Sequence, residues 1–97
     1  MKQKIDKSQV EQVKSILQSH KELSHLKVRS LGDLLILDSM PFGKRHSHAR
    51  FRRLPKNIFR LEMPRKSKWE ITPFGGPLEG LLLLVIDTFP WTLAPLE

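Results

Sequence analysis

The chain has 97 residues, 39% of them hydrophobic and 28% charged, with a formal net charge of +7. That length suits one packed core, and the mixture is that of a folding chain rather than a disordered one. Because there is no cysteine, disulfides, thiolate zinc sites, iron–sulfur clusters and cysteine nucleophiles are excluded.

One domain is expected over residues 1–97, with an ordered core at about 8–93 and Leu96-Glu97 read as the remnant of a tag. Met1 to Lys7 is basic but leads into a mixed polar pattern, without the apolar stretch of a signal peptide. The longest apolar run, Leu81 to Ile86, is far short of the ~20 residues a membrane span needs. The expectation is a cytoplasmic protein with no membrane association.

In chain order, Ser8 with Glu11 fits a capping box, and Val10, Val13, Ile16 and Leu17 recur at helical spacing, which predicts a helix over Lys7 to Glu22. Leu26 to Arg29 alternates apolar with charged, Leu34 to Leu37 is a short apolar run, and Gly32-Asp33 between them predicts a hairpin. Met40 to Arg45 holds a proline and a glycine and reads as a loop that includes His46 and Ser47.

Ala49 to Leu54 and Ile58 to Met63 read as strands joined by Pro55-Lys56-Asn57, and Trp69 to Thr72 as a fifth strand with Trp69 and Ile71 facing the core. Gly75-Gly76 reads as a loop before a second helix over Leu78 to Phe89, with Pro77 at its start and Pro90 at its end. The sum is a two-layer α+β domain: an N-terminal helix, an antiparallel meander of about five strands, and a C-terminal helix. The predicted interior is Val13, Ile16, Leu17, Val28, Phe51, Phe59, Leu61, Trp69, Ile71, Leu81, Leu82, Val85 and Phe89.

Positive charge concentrates in the centre. Lys44 to Lys68 holds ten Lys or Arg against one acid, Glu62, a net +9 that leaves −2 for the remainder. If Phe51, Phe59 and Leu61 face the core, Arg50, Arg52 and Arg60 face outward. Such a face would neutralise phosphates through Arg50, Arg52, Arg53, Arg60, Lys66 and Lys68, or serve only as a solvated surface. Nucleic acid is the leading polyanion, bound through its backbone, because the strand aromatics are assigned to the core.

The second candidate surface is apolar. Leu81 to Ile86 covers more than one helical stripe, so either the tail folds over Leu83 and Ile86, or Leu83, Ile86 and Trp91 meet a protein partner or a second copy. His46-Ser47-His48 is a weak metal pattern set among cations, and no metal or cofactor is expected. His20 and His25 read as stabilisers of the helix end. The serines occupy a cap, polar helix positions or turns, and Gly75-Gly76 lacks phosphate-loop spacing. No catalytic residue is assigned, and a non-enzymatic binding or accessory domain is the expected function.

Overall fold

The computed structural model describes residues 4–95; the pair Leu96-Glu97, read as a tag remnant, lies outside them. The helix α1 spans Lys7–Gln18, and its N-cap is Asp6 rather than Ser8. The Asp6 backbone N–H donates to Gln9 Oε1 at 2.8 Å, so the capping box is the Asp-x-x-Gln pattern two residues upstream of the expected one. The helix stops before Glu22 because the Ser19 hydroxyl donates to the Ile16 carbonyl at 2.7 Å and His20 Nδ1 lies 3.0 Å from the same oxygen. These side chains satisfy the helix end locally and compete with another turn. A single 3-10 turn, Lys21–Leu23, follows.

The strands are β1 (Lys27–Leu31), β2 (Leu34–Ser39), β3 (His46–Leu54), β4 (Ile58–Arg65) and β5 (Lys68–Gly76), paired antiparallel in sequential order. The helix α2 (Leu78–Thr88) and a terminal 3-10 turn (Pro90–Leu93) complete the chain. The architecture is therefore α+β: helix, five-stranded antiparallel meander, helix. Short hairpins suffice because each strand pairs with its neighbour in sequence. At the β1–β2 turn, Gly32 has φ +59, a left-handed conformation that costs a glycine little.

Both helices cover one face of the sheet. Leu35, Leu37, Ala49, Phe51, Phe59 and Leu61 meet Val13, Leu17, Leu81, Leu82 and Val85 there, all of them buried. Ile16 and Val28 pack at the edge of this cluster. Three assignments to the interior are corrected: Phe89 is half-buried outside this cluster, and Ile71 and Trp69 lie on the other face. Ile71 pairs with Glu62 and Trp69 with Pro64, which puts both on the opposite face, and Ile71 is 61% exposed. Alternation places Trp69 and Ile71 together, but only the register with β4 decides which face they share.

Two irregularities set that register. Leu37 pairs with Ala49 and Asp38 with Ser47, so His48 is an extra residue in β3, and the strand starts at His46 rather than after the loop. The bulge turns His48 into the interior at 2% exposure. In β5, Glu62 pairs with Ile71 while Arg60 pairs with Gly75, so Thr72, Pro73 and Phe74 bow outward opposite Leu61. Thr72 Oγ1 donates to the Leu61 carbonyl at 2.8 Å and accepts from the Phe74 N–H at 3.2 Å, which ties the bow down. Gly75 and Gly76 end this strand rather than forming a separate loop; a Cβ at Gly75 would lie 3.1 Å from the Phe59 carbonyl oxygen.

The tail packs, and Leu93 is fully buried. Two imidazoles hold it. His48 Nδ1 donates to the Thr92 carbonyl at 2.9 Å, which leaves Nε2 to accept from the Ser39 hydroxyl at 2.7 Å. His25 Nε2 donates to the Leu93 carbonyl at 2.6 Å, so His25 serves the tail and not the end of α1. The ring of His46 stands edge-on to His48 at 4.7 Å.

Burial pushes the His48 pKa below its ordinary 6.5, outweighing the Thr92 hydrogen bond, and His46 and His25 add to the depression while Asp38 opposes it. A neutral His48 thus contributes stability that is complete above pH 6.5 and is lost as pH falls from there toward its lower folded value. Thermal unfolding followed by circular dichroism should show wild-type Tm falling more steeply than that of His48→Gln between about pH 7 and pH 5. In urea titrations, Phe51→Ala should cost about 3–5 kcal/mol, whereas Ile71→Ser should cost under about 0.5 kcal/mol.

Candidate polyanion-binding face

The face of the sheet opposite the helices is polar, yet much of it is dry. Glu62, in the middle of β4, is 1% exposed. Its carboxylate accepts hydrogen bonds from Arg50 Nε at 2.7 Å, Arg52 Nε at 2.9 Å and Arg60 Nη2 at 3.0 Å. Strand register explains this convergence: Arg50 pairs directly with Glu62, Arg52 pairs with Arg60, and Arg60 precedes Glu62 by one alternation on the same strand. Arg52 and Arg60 would repel across the strands without the shared carboxylate.

The network extends to both neighbours. Arg52 Nη1 donates to Asp33 at 2.9 Å, linking β3 to the β1–β2 turn. Arg29 Nε and the Ser47 hydroxyl both donate to Asp38 at 2.7 Å, and Arg45 stands 3.8 Å from it. Ile36, directly between Arg29 and Arg50 in the register, is 3% exposed, covered by side chains rather than by a helix. Arg50 lies over the Trp69 ring, 4.2 Å from its centroid, a cation–π contact that joins β3 to β5.

The charge states follow from these contacts. Burial pushes the Glu62 carboxyl up, but the hydrogen bonds from Arg52, Arg50 and Arg60 together outweigh it and hold the pKa below the ordinary 4.5. Arg52 keeps its proton more firmly than usual, chiefly through its bond to Glu62, with burial opposing and Asp33 assisting. Five guanidiniums, those of Arg29, Arg45, Arg50, Arg52 and Arg60, meet three carboxylates, those of Asp33, Asp38 and Glu62. The face is thus partly neutralised but still positive. Among the described residues, Arg29 and Arg50 bond through Nε alone, which leaves their Nη groups to other acceptors.

The six predicted binding residues divide into three places. Arg50, Arg52 and Arg60 share this face. Arg53 has the opposite parity, is only 12% exposed, and donates to the Lys4 carbonyl and to Asn57 Oδ1, with Asp6 at 3.4 Å. It anchors the start of the chain instead of joining the array. Lys66 and Lys68 are exposed at the β4–β5 hairpin tip, where they line a shallow 380 Å³ concavity with Arg65, Ser67 and Trp69; Glu70 pairs with Arg65 at 2.9 Å. From sequence Asp33 and Asp38 flank an apolar strand and read as turn and strand-end residues without partners, whereas the structure pairs Asp33 with Arg52 and Asp38 with Arg29; the partnering role of Glu62 was not read either. The signal available was Glu62 itself, the one acid among ten cations and in phase with Arg60.

The second predicted surface is partly covered. Ile86 packs against the core, Leu83 is 36% exposed and Trp91 is 69% exposed. Trp91 meets Phe89 edge-on at 5.8 Å, and Phe89 tilts against Phe74 at 5.6 Å, forming an aromatic patch beside α2. Among the described residues no group of acidic or histidine side chains is arranged to hold a metal ion, and no helix is long and apolar enough to cross a membrane.

Glu62→Leu and Glu62→Ala test the network. Either leaves three guanidiniums facing one another, and urea titration should show a loss of about 3–5 kcal/mol. With wild type, the contribution of the depressed Glu62 carboxyl is present above pH 4.5 and is lost as pH falls through its lower folded value. Both variants should therefore show a flatter acid limb in plots of stability against pH.

Comparison with protein-family models, curated proteins and solved structures finds no match.

Proposed function

We propose that this chain is a non-enzymatic binding domain whose uncovered sheet face takes the phosphate backbone of a nucleic acid. The observation that carries the reading is the excess of guanidiniums over carboxylates on a face no helix covers. Glu62, Asp33 and Asp38 reduce the charge, but they also hold each planar fork in one orientation. A pre-oriented arginine loses less side-chain entropy on meeting a phosphate than a free one. The exposed hairpin tip with Lys66 and Lys68 supplies a second, mobile-charge contact beside the array. A cytoplasmic setting, where nucleic acid is plentiful, belongs to the same proposal.

Base-specific readout is no part of it. Trp69 lies on the binding face, contrary to its assignment to the core, but one side of its ring is occupied by Arg50. A lone partly covered aromatic gives little stacking surface, so contacts to phosphate should dominate and affinity should fall steeply with salt.

The aromatic patch of Phe74, Phe89 and Trp91 favours a second reading, docking to a protein partner or a second copy of the chain. Sedimentation equilibrium separates the two: concentration-dependent dimerisation abolished by Trp91→Ser would support this alternative.

Fluorescence anisotropy against short single- and double-stranded DNA and RNA, at low and near-physiological salt, tests the main reading. Binding should persist at the higher salt. Lys66→Glu with Lys68→Glu should weaken it roughly tenfold and lower the salt slope by about one per lost phosphate contact. Binding that vanishes at near-physiological salt would leave the positive face as a solvated surface only, and binding that ignores the tip substitutions would confine the contact to the arginine array.

A further inference from the structure

A concavity of about 660 Å³ lies away from the arginine face, between α1 and the edge strand β1. Its floor is apolar: Leu17, Leu23 and Leu26 are buried and Val28 is half-buried. Its rim is cationic. Lys14 comes from α1, Lys21 from the 3-10 turn and Lys27 from β1, all three are exposed, and no carboxylate lines the groove.

The wall of this groove has a second property. Since the sheet order runs from β1 to β5, β1 has a neighbour only on the β2 side among the described residues. Its other side carries backbone N–H and C=O groups free to pair with an added strand. An extended peptide laid along β1 would send alternate side chains into the helix layer, where the apolar floor lies, and the others away from it.

Three independent features therefore call for one occupant: backbone pairing groups for a strand, an apolar floor for every second side chain, and lysines for carboxylates along its length. Nucleic acid fits this groove poorly, because the floor is aliphatic and the one aromatic ring in its lining, His20, is held back against the Ile16 carbonyl at 3.0 Å. We propose that β1 is a docking edge for an acidic, alternately apolar peptide segment of a protein partner, which adds to the sheet as a sixth strand.

The probe is a synthetic peptide in which valine and glutamate alternate over about eight residues, a strand's length, titrated into the ¹⁵N-labelled domain. Amide shifts should cluster between Lys14 and Leu31, and hydrogen exchange of the β1 amides should slow. The triple variant Lys14→Glu, Lys21→Glu and Lys27→Glu should bind about tenfold more weakly, since each exposed pair adds only modestly. Its dispersed spectrum would show that the fold survives.

The same peptide N-methylated at alternate residues on its pairing edge should lose most of its affinity for the unaltered protein. A peptide of alternating valine and lysine should not bind. No shifts at β1, shifts confined to the arginine face, or equal binding of the N-methylated peptide would each overturn the proposal; the last would mean that charge alone attracts it.

Discussion

The carboxylate of Glu62 is the interaction on which the uncovered face of this sheet depends. A five-stranded sheet with helices on one side has to do something with its other side, and here that side is built from long cationic side chains. Three guanidiniums within hydrogen-bonding distance of one another's partners could not be held together without a counter-charge. Placing it at the middle of β4 keeps β3 and β4 in register, and the extension through Arg52 to Asp33 ties that pair to the β1–β2 turn. Charge pairing of this kind is not a strong source of net stability, because desolvation offsets much of the Coulomb gain. Its value is positional.

The two faces thus divide the work. On the helix side, Phe51, Phe59, Leu61 and the leucines of β2 and α2 supply the apolar burial that drives folding. On the other side, the same three central strands display an oriented array of arginines over Ile36, with Trp69 supporting Arg50. The bulge at His48 belongs to this division as well. By adding one residue it turns an imidazole toward the tail, where it holds Thr92, while Ser47 stays on the arginine face beside Asp38.

Much of the architecture was legible in the sequence because its elements are locally consistent: apolar residues at helical spacing over Val10 to Leu17, two hairpins with recognisable turn residues, and Pro77 and Pro90 around α2. The parity of β3 and β4 was legible too, since Phe51, Phe59 and Leu61 are strongly apolar and leave Arg50, Arg52 and Arg60 no place but the opposite face. What was not legible depended on relations between strands. Trp69 and Ile71 alternate correctly but sit on the face that register with β4 selects, and that register passes through a bow at Thr72 to Phe74. The pairing of His48 with Thr92 joins positions 44 apart in sequence, beyond the reach of any local pattern. The state of the arginines was hidden for a different reason: a count of charges distinguishes neither a free guanidinium from a paired one nor Arg53, tethered at the chain start, from its neighbours.

The central claim is that Arg50 and Arg52 are fixed by Glu62 and nevertheless able to meet a phosphate backbone. Arginine side-chain ¹H–¹⁵N spectra test it most directly, recorded on the free protein and during addition of a short single-stranded oligonucleotide at near-physiological salt. The account predicts dispersed, slowly exchanging Nε–H resonances for Arg50 and Arg52 in the free protein, which shift as oligonucleotide is added while staying protected from solvent. Fast-exchanging resonances indistinguishable from that of the exposed Arg65, or resonances that do not move with oligonucleotide, would contradict it.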